Sequence, residues 1–73
     1  MEELTQEQIT KSINAAFDSV NLINELNELE SLNIEETNTL DRNIAHLQIM
    51  LNKTWFANAL TTQQLSDIES VLP

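Results

Sequence analysis

The chain contains no glycine, and its single proline is the last residue, Pro73. Glycine and proline are the strongest local signals for tight turns, and a chain without them favours helices joined by plain polar connections. We therefore expect an all-α fold.

Three positions carry the signature of a helix N-terminus. The phrase LTQEQI at 4–9 returns near the other end of the chain as LTTQQL at 60–65. In both, a threonine is followed three residues later by a glutamine, with apolar residues on either side; this pattern is a capping box with a hydrophobic staple. A third version of the box begins with an asparagine. The three predicted pairs are Thr5 with Gln8, Asn33 with Glu36, and Thr61 with Gln64.

These starts predict three helices, which span residues 6 to about 30, residues 34 to about 52, and residues 62 to about 72. The second helix could also extend as far as Phe56. The connection ESLN between the first two is short, and short connections produce antiparallel neighbours. Asn58 is a candidate terminator, because asparagine tolerates the left-handed conformation. The expected architecture is one domain, an antiparallel helical hairpin with a short third helix closing one end, similar to a three-helix bundle.

Apolar residues at three- and four-residue spacing define the inward face of each predicted helix. In the first these are Ile9, Ile13, Ala16, Phe17, Val20, Ile23 and Leu26; in the second, Leu40, Ile44, Leu47, Leu51 and Trp55; in the third, Leu65, Ile68, Val71 and Leu72. At the hairpin tip we expect Leu22, Leu26, Leu29 and Leu32 to pack on the start of the second helix.

The chain is short for an independent fold. A domain of 73 residues buries only about 60% of the surface that its unfolded chain exposes, and most small scaffolds need a further source of stability. With no cysteine, disulfides and thiolate metal sites are excluded. Docking onto a partner protein, or formation of a homo-oligomer, is therefore an open option.

The charge is strongly unbalanced, with twelve acidic residues against Lys11, Arg42 and Lys53, for a formal net charge of −9. Direct nucleic-acid binding is disfavoured because phosphates require basic residues, and acidic membrane surfaces are disfavoured for the same reason. No stretch approaches the roughly 20 apolar residues of a membrane span. The acidic start MEELTQEQ is unlike a signal peptide, so we expect a cytoplasmic protein. Since nucleic acids and acidic membranes are disfavoured, the expected partner is a protein.

Nothing in the sequence indicates catalysis, a cofactor or a metal. His46 is the single histidine, and it has no further ligands at the spacing of known metal sites. There is no cysteine nucleophile, no serine paired with a histidine by motif, and no glycine-rich phosphate loop. We expect a non-enzymatic protein without cofactors.

Five glutamates form a predicted acidic patch near the hairpin tip, in a stretch with no lysine or arginine between Ser12 and Asp41. This patch either meets a basic protein surface or only solubilises the chain. Its members are Glu25, Glu28, Glu30, Glu35 and Glu36.

Trp55 and Phe56 are the most informative pair for binding. Neighbouring residues on a helix point about 100° apart, so both rings cannot easily face one narrow core. One ring is expected inside, and the other, together with Met50 or Ile49, at a partner contact, where aromatics are enriched. The alternative is that the third helix covers both rings.

The stretch RNIAHLQIMLNKTWFANALTTQQ, preceded by INAAFDSVNLINEL, resembles small acidic proteins of tailed phages, of the type found in T4-like phages of cyanobacteria. The pattern N-x-x-H-L-x-I-M followed by K-x-W-F-x-x-x-L-T carries the resemblance. Its residues are Asn43, His46, Leu47, Ile49, Met50, Lys53, Trp55, Phe56, Leu60 and Thr61. The resemblance implies a phage origin and no catalytic or binding residues.

Two functional hypotheses follow. The first is a small phage structural or accessory protein that binds a virion or host protein through apolar surface around Trp55 and Phe56, in the host cytoplasm or the virion. The alternative is an acidic inhibitor or DNA mimic that blocks a basic nucleic-acid site on a host protein with the acidic patch.

Overall fold

The computed structural model describes residues 4–73. The first three residues of the acidic start, on which the argument against a signal peptide depends, lie outside this range. Within it the chain forms four helices and no strand, so the predicted all-α class is confirmed. The helices are α1 (Gln6–Asn27), α2 (Ile34–Leu51), α3 (Thr54–Ala59) and α4 (Thr62–Ser70).

All three predicted capping boxes are present. In each, the cap side chain accepts a hydrogen bond of 2.8–3.1 Å from the backbone N–H three residues on. The side chain of that third residue accepts one of 2.8–3.0 Å from the N–H of the cap. These bonds satisfy N–H groups that have no partner inside the helix, and they set the starts of α1, α2 and α4 where the sequence predicts them.

Two helices end earlier than predicted. Helix α1 stops at Asn27, about three residues short, and its last turn contains no basic residue that would balance the negative end of the helix dipole. Asparagine is also a poor helix former away from caps. Helix α4 stops at Ser70, because the proline at position 73 disfavours the helical conformation for the residue before it.

The second helix ends within one residue of the predicted limit at about residue 52, whereas its extension to Phe56 is wrong. Helix α2 ends at Leu51, and Lys53 adopts an extended conformation (φ −87°, ψ 115°) before α3 begins without a side-chain cap. The expectation that Asn58 ends a helix is also wrong, since α3 continues to Ala59. No residue of the described part has a positive φ.

One core unites the four helices. Its fully or almost fully buried members are Ala16, Val20 and Ile23 from α1, Leu47 from α2, Phe56 from α3 and Ile68 from α4. Helix α1 contacts each of the other three, and its contact with α2 is the most extensive. The remaining predicted inward residues pack around this core or lie partly buried. Leu29 is an exception to the predicted packing at the tip, with 47% of its surface exposed.

Candidate protein-binding surface

The four residues predicted to contact a partner lie in different environments. Phe56 is fully buried in the core, whereas Trp55 and Met50 are half-buried against it. The rings of Trp55 and Phe56 meet edge to face, with centroids 6.0 Å apart and planes at 88°. Phe56 therefore offers no surface to a partner while the helices are packed in this way, and its predicted role in binding has no support in the geometry.

Helical geometry explains this division. Successive residues are about 100° apart around a helix, so Phe56 can point to the core only if Trp55 and Ala57 lie on opposite flanks of α3. By the same rule Ile49 lies about 200° from the buried Leu47 on α2, and 59% of its surface is exposed. Met50 and Trp55 thus lie beside the core, whereas Ile49 faces away from it.

A groove that the sequence did not predict lies at the C-terminal end of the chain. We call it the C-terminal groove; it has a volume of about 410 Å³, and its lining comes from the end of α2, from α3 and from α4 with the residues after it. Its lining residues are Leu51, Ala57, Leu65, Glu69, Leu72 and Pro73. Most of this lining is apolar, and Leu51, Ala57, Leu65 and Leu72 are only half-buried.

The sequence contained part of the signal for this groove. Leu65 and Glu69 are four residues apart, which places them on one flank of α4 beside the buried Ile68, and Leu72 follows just after the helix ends. Both leucines were predicted to face inward from their helical spacing, and the structure leaves them half-buried in the groove lining. Leu51 of α2 and Ala57 of α3 complete the lining, whereas Ile68 itself is buried in the core.

The acidic patch lies on exposed chain at the end of α1, the following connection and the start of α2. Four of its glutamates are exposed and Glu36 is partly buried, since its carboxylate accepts the capping hydrogen bond from Asn33. Glu35 and Glu36 are favourably placed at the positive end of the α2 dipole, whereas Glu25 and Glu28 lie at the negative end of α1. Within residues 4–73 none of the five forms an ion pair; the pair observed there joins Lys11 to Glu7 at 3.4 Å.

His46 is partly buried, and one of its nitrogens is enclosed. Its Nε2 atom is buried and has no hydrogen-bond partner among the described residues. Residues 4–73 also contain no group of three or more histidine and acidic side chains placed to hold a metal ion. They contain no helix whose length and apolar character together would suffice to cross a membrane.

Comparison with protein-family models, curated proteins and solved structures finds no match to this chain. The arguments for a function therefore depend on the surfaces of the molecule itself. Those surfaces are a mainly apolar groove at the C-terminal end and an acidic patch that forms no ion pair within residues 4–73.

Proposed function

We propose that this chain is a non-enzymatic module that binds another protein through the apolar surface of its C-terminal half. The C-terminal groove is the observation that carries the proposal. Its volume of about 410 Å³ lies within the range of pockets that bind ligands and side chains, roughly 300–1,000 Å³. Half-exposed leucines in a concave surface are suited to enclosing an apolar anchor residue from a partner.

We include in the proposed surface two further half-buried residues, Trp55 on the flank of α3 opposite Ala57 and Met50 near the end of α2. Trp55 is half-buried, so part of its ring remains available for a partner, and tryptophan is enriched among the residues that dominate binding energy. Ile49 is exposed but faces away from the core, and it is included only as a residue at the margin of the surface. Phe56 has the supporting role of fixing α3 from inside.

We also propose the finer arrangement of an antiparallel hairpin of α1 and α2, closed at one end by α3 and α4. The short connection at 28–33 and the extensive α1–α2 contact support it. In this arrangement the apolar surface and the acidic patch lie at opposite ends of an elongated molecule measuring 43 × 24 × 18 Å. Together with the resemblance to acidic phage proteins, it suggests an accessory or structural phage protein acting in the host cytoplasm or in the virion.

An acidic inhibitor or DNA mimic is the second candidate. The absence of ion pairs to the five patch glutamates within the described chain favours it, because unpaired carboxylates are available to a basic surface. Glu25 and Glu28 also oppose the dipole of α1, a placement that does not favour the helix. Binding of this kind is screened by salt.

Affinity capture from host or infected lysate, eluted in salt steps, separates the two candidates. An apolar interface should hold its partner at about 1 M salt, where charges are screened beyond about 3 Å. Capture should be lost with Leu72→Ser and weakened with Trp55→Ala. It should be retained with the matched control Ile34→Ser, because 81% of Ile34 is exposed at the start of α2. Elution at low salt with no effect of Leu72→Ser would refute the first proposal and support the second.

A further inference from the structure

We propose that the occupant of the C-terminal groove is a basic amphipathic segment of the partner protein. A large apolar side chain of that segment enters the groove, and a lysine or arginine about one helical turn away pairs with Glu69. This inference deepens the proposed function and depends on it.

The positions along α4 define where charge meets apolar surface. Within α4, Glu69 lies four residues after Leu65, so about 6 Å separate the two along the helix axis, and Leu72 follows three residues later, beyond the end of the helix. The Glu69 carboxylate is therefore beside the apolar lining, within reach of a cation that flanks an inserted side chain. Leu51 and Ala57 form the facing wall and carry no charge.

Glu69 has no competing partner in the described chain. Its side chain is exposed, and within residues 4–73 it forms neither an ion pair nor a side-chain hydrogen bond. The groove lining contains no lysine or arginine, and the whole chain has a formal net charge of −9. An acidic segment, including a second copy of this chain, would be repelled, whereas a basic segment would be attracted.

The test is an NMR titration of the ¹⁵N-labelled full chain with synthetic peptides at physiological salt. The probe is a peptide of about 14 residues with leucine at i, i+3, i+4 and i+7 and lysine at the other positions, which forms one apolar helical face. Two matched peptides replace every lysine by glutamate, or every leucine by alanine. The lysine–leucine peptide should shift the amide signals of Ala57, Leu65 and Leu72, and both matched peptides should leave them unshifted.

Variants separate the groove from general attraction to an acidic protein. Glu69→Lys should weaken binding of the lysine–leucine peptide about two- to five-fold, the range expected for an exposed ion pair. Glu69→Gln should have a smaller effect in the same direction. The control Glu25→Lys makes the same change in net charge within the acidic patch and should have less effect than Glu69→Lys.

Four outcomes would overturn the inference. The first is an equal loss in Glu25→Lys and Glu69→Lys, and the second is signal shifts confined to the acidic patch. The third is a concentration-dependent shift of the groove signals without peptide, which would make a second copy the occupant. Absence of any peptide binding would also overturn it, whereas salt-resistant capture that depends on Leu72 would still support the proposed function.

Discussion

Phe56 lies at the centre of the core with none of its surface exposed, so Phe56→Ala should destabilise the fold severely. Replacing a buried phenylalanine by alanine typically costs about 3–5 kcal/mol, because apolar burial is lost and a cavity remains. At roughly 0.05–0.15 kcal/mol per residue, a chain of 73 residues has a total stability of about 4–11 kcal/mol. The variant should therefore lose a large fraction of its free energy of unfolding, or all of it.

Urea unfolding measures this loss, followed by circular dichroism at 222 nm and by the fluorescence of Trp55. Phe56→Leu should give a smaller decrease, since leucine leaves a smaller cavity, and it keeps the comparison measurable if the alanine variant does not fold. The control Ile49→Ala removes apolar surface that is mostly exposed and should change stability by no more than about 0.5 kcal/mol. If Phe56→Ala were no more destabilising than Ile49→Ala, α3 would not be packed as described here.

Three further predictions concern single side chains, each measured by urea unfolding. Thr61→Ala should destabilise the fold by about 0.5–2 kcal/mol, because the α4 cap is lost. The control Thr62→Ala removes a neighbouring threonine that makes no cap bond, and it should be near neutral. Equal effects of the two changes would contradict the capping role. His46→Leu should be neutral or should stabilise the fold by up to about 1 kcal/mol, because it removes a buried polar atom without a hydrogen-bond partner. A decrease of more than about 2 kcal/mol in the free energy of unfolding would show that Nε2 is hydrogen-bonded. Glu28→Lys should raise the urea midpoint slightly and Glu7→Lys should lower it, because the two glutamates lie at opposite ends of the α1 dipole. A higher midpoint in both variants would indicate that the change in net charge is the cause.

The starts of three helices could be predicted because capping is a local interaction. Thr5, Asn33 and Thr61 each lie three residues before the side chain that completes the box, so six or seven residues of sequence contain the whole signal. The apolar spacing within α1 and α2 likewise predicted the buried face, from Ala16 through Leu47. Both signals depend on few residues and little tertiary context.

The separate helix α3 could not be predicted in the same way. Neither glycine nor proline marks it, and Lys53 provides no side-chain cap for α3. Lys53 is extended, and Phe56 three residues later is buried in the same core as Ile68, a contact between distant parts of the chain that local sequence does not show. Because Ala57 of α3 helps to line the C-terminal groove, the groove was not predicted either.

The acidic patch shows the opposite limit. Its exposure followed from composition and position, and four of its five glutamates are indeed exposed. Its function does not follow from them, because Glu36 is partly occupied by a capping bond and the other carboxylates would be exposed in any solubilising surface. The sequence thus predicts that the glutamates are exposed, whereas their role in binding can only be established with a partner.

The central claim is that a partner protein covers the C-terminal apolar surface. Hydrogen–deuterium exchange of the full chain, alone and with the partner captured at high salt, tests it most directly. We predict slower exchange across α3 and α4, including Ala57 and Leu65, and unchanged exchange around Glu28. Protection confined to the end of α1 and the start of α2 would contradict the claim and identify the acidic patch as the binding surface.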